Sequence, residues 1–190
     1  FELAKINLDL NKFLLLYGEN EGFKYEIIKK IEKNFTNNIF RYDEKEILEN
    51  KENFLNGILS KSLFENEKLI IVSRVTDKIK TLTEEILEKN VEDITIIFIG
   101  NLLDKKSKLR NLFEKNKKMV CIPFYQDTHQ TLNTIAINYF KNKKIPISQE
   151  IMNLIIERSR GSRQNLFNEL NKIDIYSKSN NKINLEAIVK

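Results

Sequence analysis

Five short apolar runs, Phe13 to Tyr17, Ile39 to Tyr42, Leu69 to Val72, Ile94 to Ile99 and Met119 to Ile122, recur along the first two-thirds of the chain with room for a helix between neighbours. Several are continuously apolar rather than alternating. A strand reads that way when both of its faces are covered, as in a parallel sheet layered between helices. The intervening segments carry helical spacing: Ile27, Ile28 and Ile31 after the first run, Ile47, Phe54, Leu55, Ile58 and Leu59 in the long second connection, and Leu109, Leu112 and Phe113 ahead of the fifth run. Thr81 and Glu84 have the spacing of a capping box ahead of Ile86 and Leu87. The pattern predicts an α/β domain of three layers around a five-stranded parallel sheet, joined by right-handed crossovers.

After Phe124 and Tyr125 the strand signals stop. Asp127 and Gln130 are placed to cap a helix striped by Leu132, Ile135, Ala136, Tyr139 and Phe140, and the segment Asn142 to Pro146 breaks it. Ser148 opens a second helix with Ile151, Leu154 and Ile155 inward, and Gly161 is suited to end it in a left-handed turn. Ser162 opens a third, carrying Leu166, Leu170 and Ile173; Ser177 to Lys182 read as a loop, and Leu185 to Val189 as the start of a final helix. A small all-α domain, residues 127–190, is therefore expected to follow a sheet domain, residues 1–126.

At 190 residues and 41% hydrophobic, the chain can bury one good core with a smaller satellite. No apolar run approaches the roughly 18 residues of a membrane helix, and no basic-then-apolar leader opens the chain. The expectation is a soluble, intracellular protein without membrane or metal partners. Phe1 stands where an initiator Met would, so the start is read as trimmed. The single Cys121 excludes a disulfide within the chain and reads as a buried small hydrophobe. A net charge of +5 fits a partner bearing negative charge, but the lysines are spread along the whole chain.

The stretch from Leu15 to Tyr25 has the outline of a phosphate-binding Gly-x-x-x-x-Gly-Lys-Ser/Thr loop, lying between a strand-like run and a helix-like one. Its chemistry is missing. Aligned on Gly18 and Lys24, the second glycine position holds Phe23, and the metal-binding hydroxyl position holds Tyr25. A Phe keeps backbone amides from closing on a phosphate, and a phenol is too long to stand in for Ser or Thr on magnesium. The third apolar run would carry the acids that hold magnesium and activate water, yet Ser73 and Arg74 follow it. Two independent losses argue against ATP turnover, so the loop Gly18, Gly22, Phe23, Lys24, Tyr25 is expected to bind no cofactor. Lys24 reads as a surface residue of its helix rather than a phosphate contact.

Other candidates are weaker. His129, the only histidine, reads as a solvated residue in a first helical turn, and no Cys/His cluster has zinc spacing. Gly100 and Asn101 read as a structural turn. Lys105, Lys106, Lys108 and Arg110 form a dense basic run that is either a solvated face or a DNA-proximal phosphate contact; no interleaved aromatics point to single-strand stacking. Leu63 and Phe64 end the second connection just before Glu65, Asn66, Glu67 and Lys68. An apolar pair there is either core or, since Ile58 and Leu59 already give that helix an inward face, an outward anchor for a partner's pocket.

Taken together, Leu14-Leu15-Leu16-Tyr17-Gly18, Ser62-Leu63-Phe64, Ser107-Lys108-Leu109-Arg110 ahead of Glu114-Lys115, and Gly161-Ser162-Arg163-Gln164-Asn165 running into Asn168-Glu169-Leu170 give the chain a family likeness. It resembles the delta subunit of the bacterial DNA polymerase III clamp loader over nearly all of its residues, but over only the amino-terminal two-thirds or so of that family's length. The resemblance implies a divergent AAA+ sheet domain with a dead nucleotide site, followed by a helical lid. It also implies a third, carboxy-terminal collar domain, which nothing before Lys190 provides. On this resemblance the chain is a non-catalytic part of a DNA-directed DNA polymerase holoenzyme, a transferase complex of the cytoplasmic, nucleoid-associated replisome. It would bind and open the sliding clamp (the beta subunit) through Leu63 and Phe64, with Ser62 beside them. Its other partners would be the gamma/tau and delta prime subunits, with DNA met indirectly. The alternatives are a P-loop-like ATP-binding protein or a basic nucleic-acid-binding module.

Overall fold

The computed structural model describes residues 7–8, 10–35, 38–59, 67–89 and 93–178, with the backbone alone at residue 59. All five apolar runs are strands: β1 (Phe13–Gly18), β2 (Ile39–Asp43), β3 (Lys68–Val75), β4 (Ile94–Gly100) and β5 (Met119–Phe124). They form one parallel sheet in the order β2-β3-β4-β1-β5. Every residue of β1 is buried, because β4 and β5 pair with its two edges and apolar layers cover both faces. Phe13, Leu15 and Tyr17 join a core with Ile70, Val72, Ile96 and Phe98, while Leu14 and Leu16, on the opposite face by the two-residue period, are fully enclosed as well. Each such Leu or Ile contributes about 1.5–3 kcal/mol by leaving water.

The connecting helices are α1 (Glu21–Glu32), α2 (Glu44–Glu49), α3 (Lys51–Leu59), α4 (Lys80–Glu88) and α5 (Lys108–Lys115). Their apolar stripes are buried as the spacing predicts: Ile27, Ile28 and Ile31 on α1, Ile47 on α2, Phe54, Leu55 and Ile58 on α3, Leu109 and Phe113 on α5. The capping box at Thr81 and Glu84 does not form. A 3-10 turn, Asp77–Ile79, starts the helical run earlier, capped by Thr76, whose own N–H and hydroxyl are held by the Glu44 carboxylate. Thr81 therefore lies inside α4, where Glu84 pairs with Lys80 instead. Ser73 and Arg74 do not follow β3 but belong to it. The strand continues to Val75 through a register shift, with Arg74 at a φ of 57°. Cys121 is only half-buried, because β5 is an edge strand.

The chain divides into two compact units, one from the described parts of Phe1–Glu19 and Lys24–Phe124, the other from Asn20–Phe23 with the described part of Tyr125–Lys190. In the second unit α6 (His129–Lys143), α7 (Gln149–Ser159) and α8 (Arg163–Lys178) pack Leu132, Ala136, Phe140, Ile151, Ile155, Leu166, Leu170 and Ile173 into a single core. The hydroxyls of Thr128 and Ser148 cap α6 and α7. Asp127 and Gln130 do not supply the cap of α6, because the Asp127 carboxylate is committed to an ion pair with Arg163. Left-handed Arg160 and Gly161 end α7. α8 runs through Ser177 and Lys178, past the expected start of the loop; the expected helix at Leu185 to Val189 lies outside the described residues. Among the described residues no helix is long and apolar enough to cross a membrane.

Candidate functional site

The loop after β1 is nearly gone. Only Glu19 and Asn20 separate the strand from α1, so Gly22, Phe23, Lys24 and Tyr25, which would lie in or just after an open phosphate loop, are wound into the first turns of the helix. Gly18 makes the exit possible. Its φ is 119°, and a Cβ there would sit 2.3 Å from the carbonyl oxygen of Phe124, so no side chain fits between β1 and β5.

In the first unit Lys24 is 1% exposed, which overturns its reading as a surface residue. Its ammonium donates to the carbonyls of Gly18 at 2.8 Å and of Gly100 at 2.9 Å. These two carbonyls terminate the adjacent parallel strands β1 and β4, where the ladder leaves acceptors over, and a lysine brings three donors to meet them. Gly18 also donates its N–H to the Asn101 carbonyl at 3.1 Å, and Gly100, expected in a turn, is the last residue of β4.

In the second unit the remaining loop residues join a buried polar cluster. The side-chain oxygen of Asn20 accepts from the Phe23 N–H at 3.0 Å, and its amide donates to the Tyr125 carbonyl and to Asp127 at 3.0 and 2.8 Å. Asp127 receives two hydrogen bonds from Arg163, at 2.8 and 2.6 Å, both side chains being less than a tenth exposed. The Arg163 guanidinium lies 3.8 Å from the centre of the half-buried Phe23 ring, a cation–π contact. A Cβ on Gly22 would come within 3.0 Å of the Gln164 nitrogen, so the glycine permits the close approach of α8. Tyr25 is exposed, with Lys29 over its ring. Two groups with which a phosphate loop meets its ligand are thus engaged inside the chain: the lysine with strand carbonyls, and the Phe23 amide with Asn20.

The basic run is split. Lys105, Lys106 and Lys108 are exposed, whereas Arg110 packs over the Tyr17 ring, pairs with Glu114 at 2.7 Å and donates to the Leu103 carbonyl. The helix start that carries this charge is answered by Asp77, which accepts from the Ser107 hydroxyl and from the N–H groups of Lys108 and Leu109. Burial by itself would raise the Asp77 carboxyl, but the hydrogen bonds from Leu109, Ser107 and Lys108 outweigh it and hold the group below its ordinary value. His129 is exposed on the first turn of α6. Ser62, Leu63 and Phe64 lie outside the described residues. Among the described residues no group of three or more His, Cys, Asp or Glu side chains is placed to hold a metal ion.

No protein-family model matches the chain, and no curated protein matches it by sequence. Solved structures do match by shape. Domain III of the Thermotoga maritima replication initiation protein DnaA superposes with a TM-score of 0.52 and 15% identity, over 99% of this chain and 85% of that one. The Thermotoga maritima RuvB Holliday junction branch migration motor gives 0.58 at 15% identity, over 99% of this chain and 63% of that one. The fold is AAA+-like, a five-stranded parallel sheet flanked by helices. Within that class the chain is similar to the Bacillus subtilis DNA clamp loader delta protein (YqeN), with a TM-score of 0.63 and 15% identity over 92% of this chain. The chain spans 56% of the length of that protein.

Proposed function

We propose that this chain is a non-catalytic clamp-loader subunit of the delta type, which binds a sliding clamp and favours its open form during DNA replication. The observation that carries the reading is the fate of the loop after β1. Lys24 is spent on the Gly18 and Gly100 carbonyls, and the Phe23 amide on Asn20, in a fold shared with a clamp loader delta protein. A chain whose loop is stapled internally has little use for ATP and works by binding. ATP would then be read by sister subunits of the gamma/tau type, beside a delta prime subunit. The clamp contact falls to Leu63 and Phe64, with Ser62 at their edge.

The mechanism is a population shift. A closed ring opens when its partner binds the open form better, and only that difference in affinity performs work; moving a ring from 1:99 to 99:1 open takes about 5.5 kcal/mol of differential binding. Burying Leu63 and Phe64 in a clamp pocket contributes about 1.5–3 kcal/mol each, a large share of the roughly 8 kcal/mol of a micromolar complex. Pull-down and titration with the cognate clamp test the proposal. The double variant L63A/F64A should stay folded by circular dichroism and lose affinity by at least about 100-fold. A double variant that unfolds returns the pair to the core, and one that binds as the parent does removes it from the interface. Calorimetry with Mg-ATP should give no binding heat; a saturable heat would favour the ATP-binding alternative.

A further inference from the structure

In the second unit three donors converge on one carboxylate. Nε and Nη2 of Arg163 reach separate oxygens of Asp127 at 2.8 and 2.6 Å, and the Asn20 amide adds a third hydrogen bond at 2.8 Å. Asn20 and the side chains of Arg163 and Asp127 are each less than a tenth exposed. This two-pronged grip is the one with which arginine takes an oxyanion, carboxylate or phosphate alike. An ion pair that served packing alone needs only the arginine. Here Asn20, held in orientation by the Phe23 N–H and the Tyr125 carbonyl, brings part of the former phosphate-loop stretch to the anion as well. The Phe23 ring covers the guanidinium. The anion is supplied by the chain itself, from a residue 107 positions beyond Asn20.

We infer that Asn20, Phe23 and Arg163 form an oxyanion-binding site of which Asp127 is the built-in occupant, an autoinhibitory contact that shuts the site to free carboxylates and phosphates. A tethered anion does not diffuse away, so a free one must compete against a partner that is always present. A buried arginine without an anion is costly, and the chain answers that cost permanently rather than through an exchangeable ligand. The second unit therefore holds Asn20 and Phe23 in place whatever the concentration of phosphate or nucleotide around it.

Replacing Asp127 by Ala deletes one carboxylate and leaves space for formate, so chemical rescue tests the inference. Thermal unfolding of the 190-residue chain is followed for the parent, D127A and R163M/D127A, in sodium formate and in sodium phosphate, each against sodium chloride of equal ionic strength. D127A should melt below the parent, because Arg163 is left buried and unpaired. Millimolar formate or phosphate should raise its midpoint saturably, by about 3 °C or more beyond chloride. The parent, whose site is filled, and R163M/D127A, which lacks the cation, should each move by less than about 1 °C. Where D127A shows no folded baseline, recovery of helical circular dichroism on adding formate at constant temperature takes the place of the midpoint. A response of D127A no larger than in chloride, or an equal response of R163M/D127A, would overturn the inference. No clamp enters the experiment, so its failure leaves the Leu63 and Phe64 proposal standing, and the reverse also holds.

Discussion

Lys24 and Arg163 are both buried cations, one in each unit, and they are neutralised in opposite ways. The Lys24 ammonium is satisfied by neutral carbonyls at the ends of β1 and β4, whereas the Arg163 guanidinium is locked to the Asp127 carboxylate, with Asn20 and Phe23 completing its surroundings. The difference lies in what each would leave behind. Without Lys24, two carbonyls lose a donor. Without Arg163, a charge is stranded in the interior. A buried cation is therefore as important as the partner it silences.

The largest expected effect is on the second unit. R163A should cost about 3–5 kcal/mol in urea unfolding, because Asp127 remains buried and uncompensated. The double variant R163M/D127N, which removes both charges, should recover more than half of that loss; a double variant as unstable as R163A would show that packing on Phe23, and not charge, governs the cluster. Next in size, K24M keeps the side-chain volume and should cost about 1–3 kcal/mol for the two acceptors left unpaired. A penalty equal to or above that of R163A would break the ranking.

Both cations were placed by their spacing, and that signal was available in the sequence. Lys24 stands at i relative to Ile27, Ile28 and Ile31 at i+3, i+4 and i+7, and Arg163 stands in the same relation to Leu166 and Leu170. A charged residue one turn ahead of a buried stripe, on the same face, is carried inward with it, and a reading by charge alone misplaces Lys24 in solvent. The five strands were legible because continuous apolar runs have few other uses at that length. The helix starts were not: Thr76, which caps the 3-10 turn ahead of α4, is held by Glu44, and the start of α5 is held by Asp77, partners distant in sequence. Asp127 escaped for the same reason: its role is set by Arg163 and Asn20, not by the helix it precedes.

The smallest effect concerns a carboxylate that caps rather than pairs. The folded-state Asp77 carboxyl lies below its ordinary value of 3.8, so its contribution to stability is fully present above that pH and is lost as pH falls from there through the depressed folded value. The difference in urea midpoint between the parent and D77N should therefore be constant near neutrality and shrink below pH 3.8. A difference that persists unchanged at the acid end would mean that Asp77 holds the start of α5 by shape alone.

The strand order carries a consequence for how the chain is made. Of the five strands β1 is made first, yet its two neighbours in the sheet begin at Ile94 and Met119, so it cannot find either edge partner until most of the first unit has been synthesised. Meanwhile Leu14, Leu15 and Leu16 travel as an unpaired oily segment, the stretch most open to wrong pairing. Of the five strands the earliest thus depends on the latest for its second edge, and a synthesis halted before Met119 leaves β1 with a bare side.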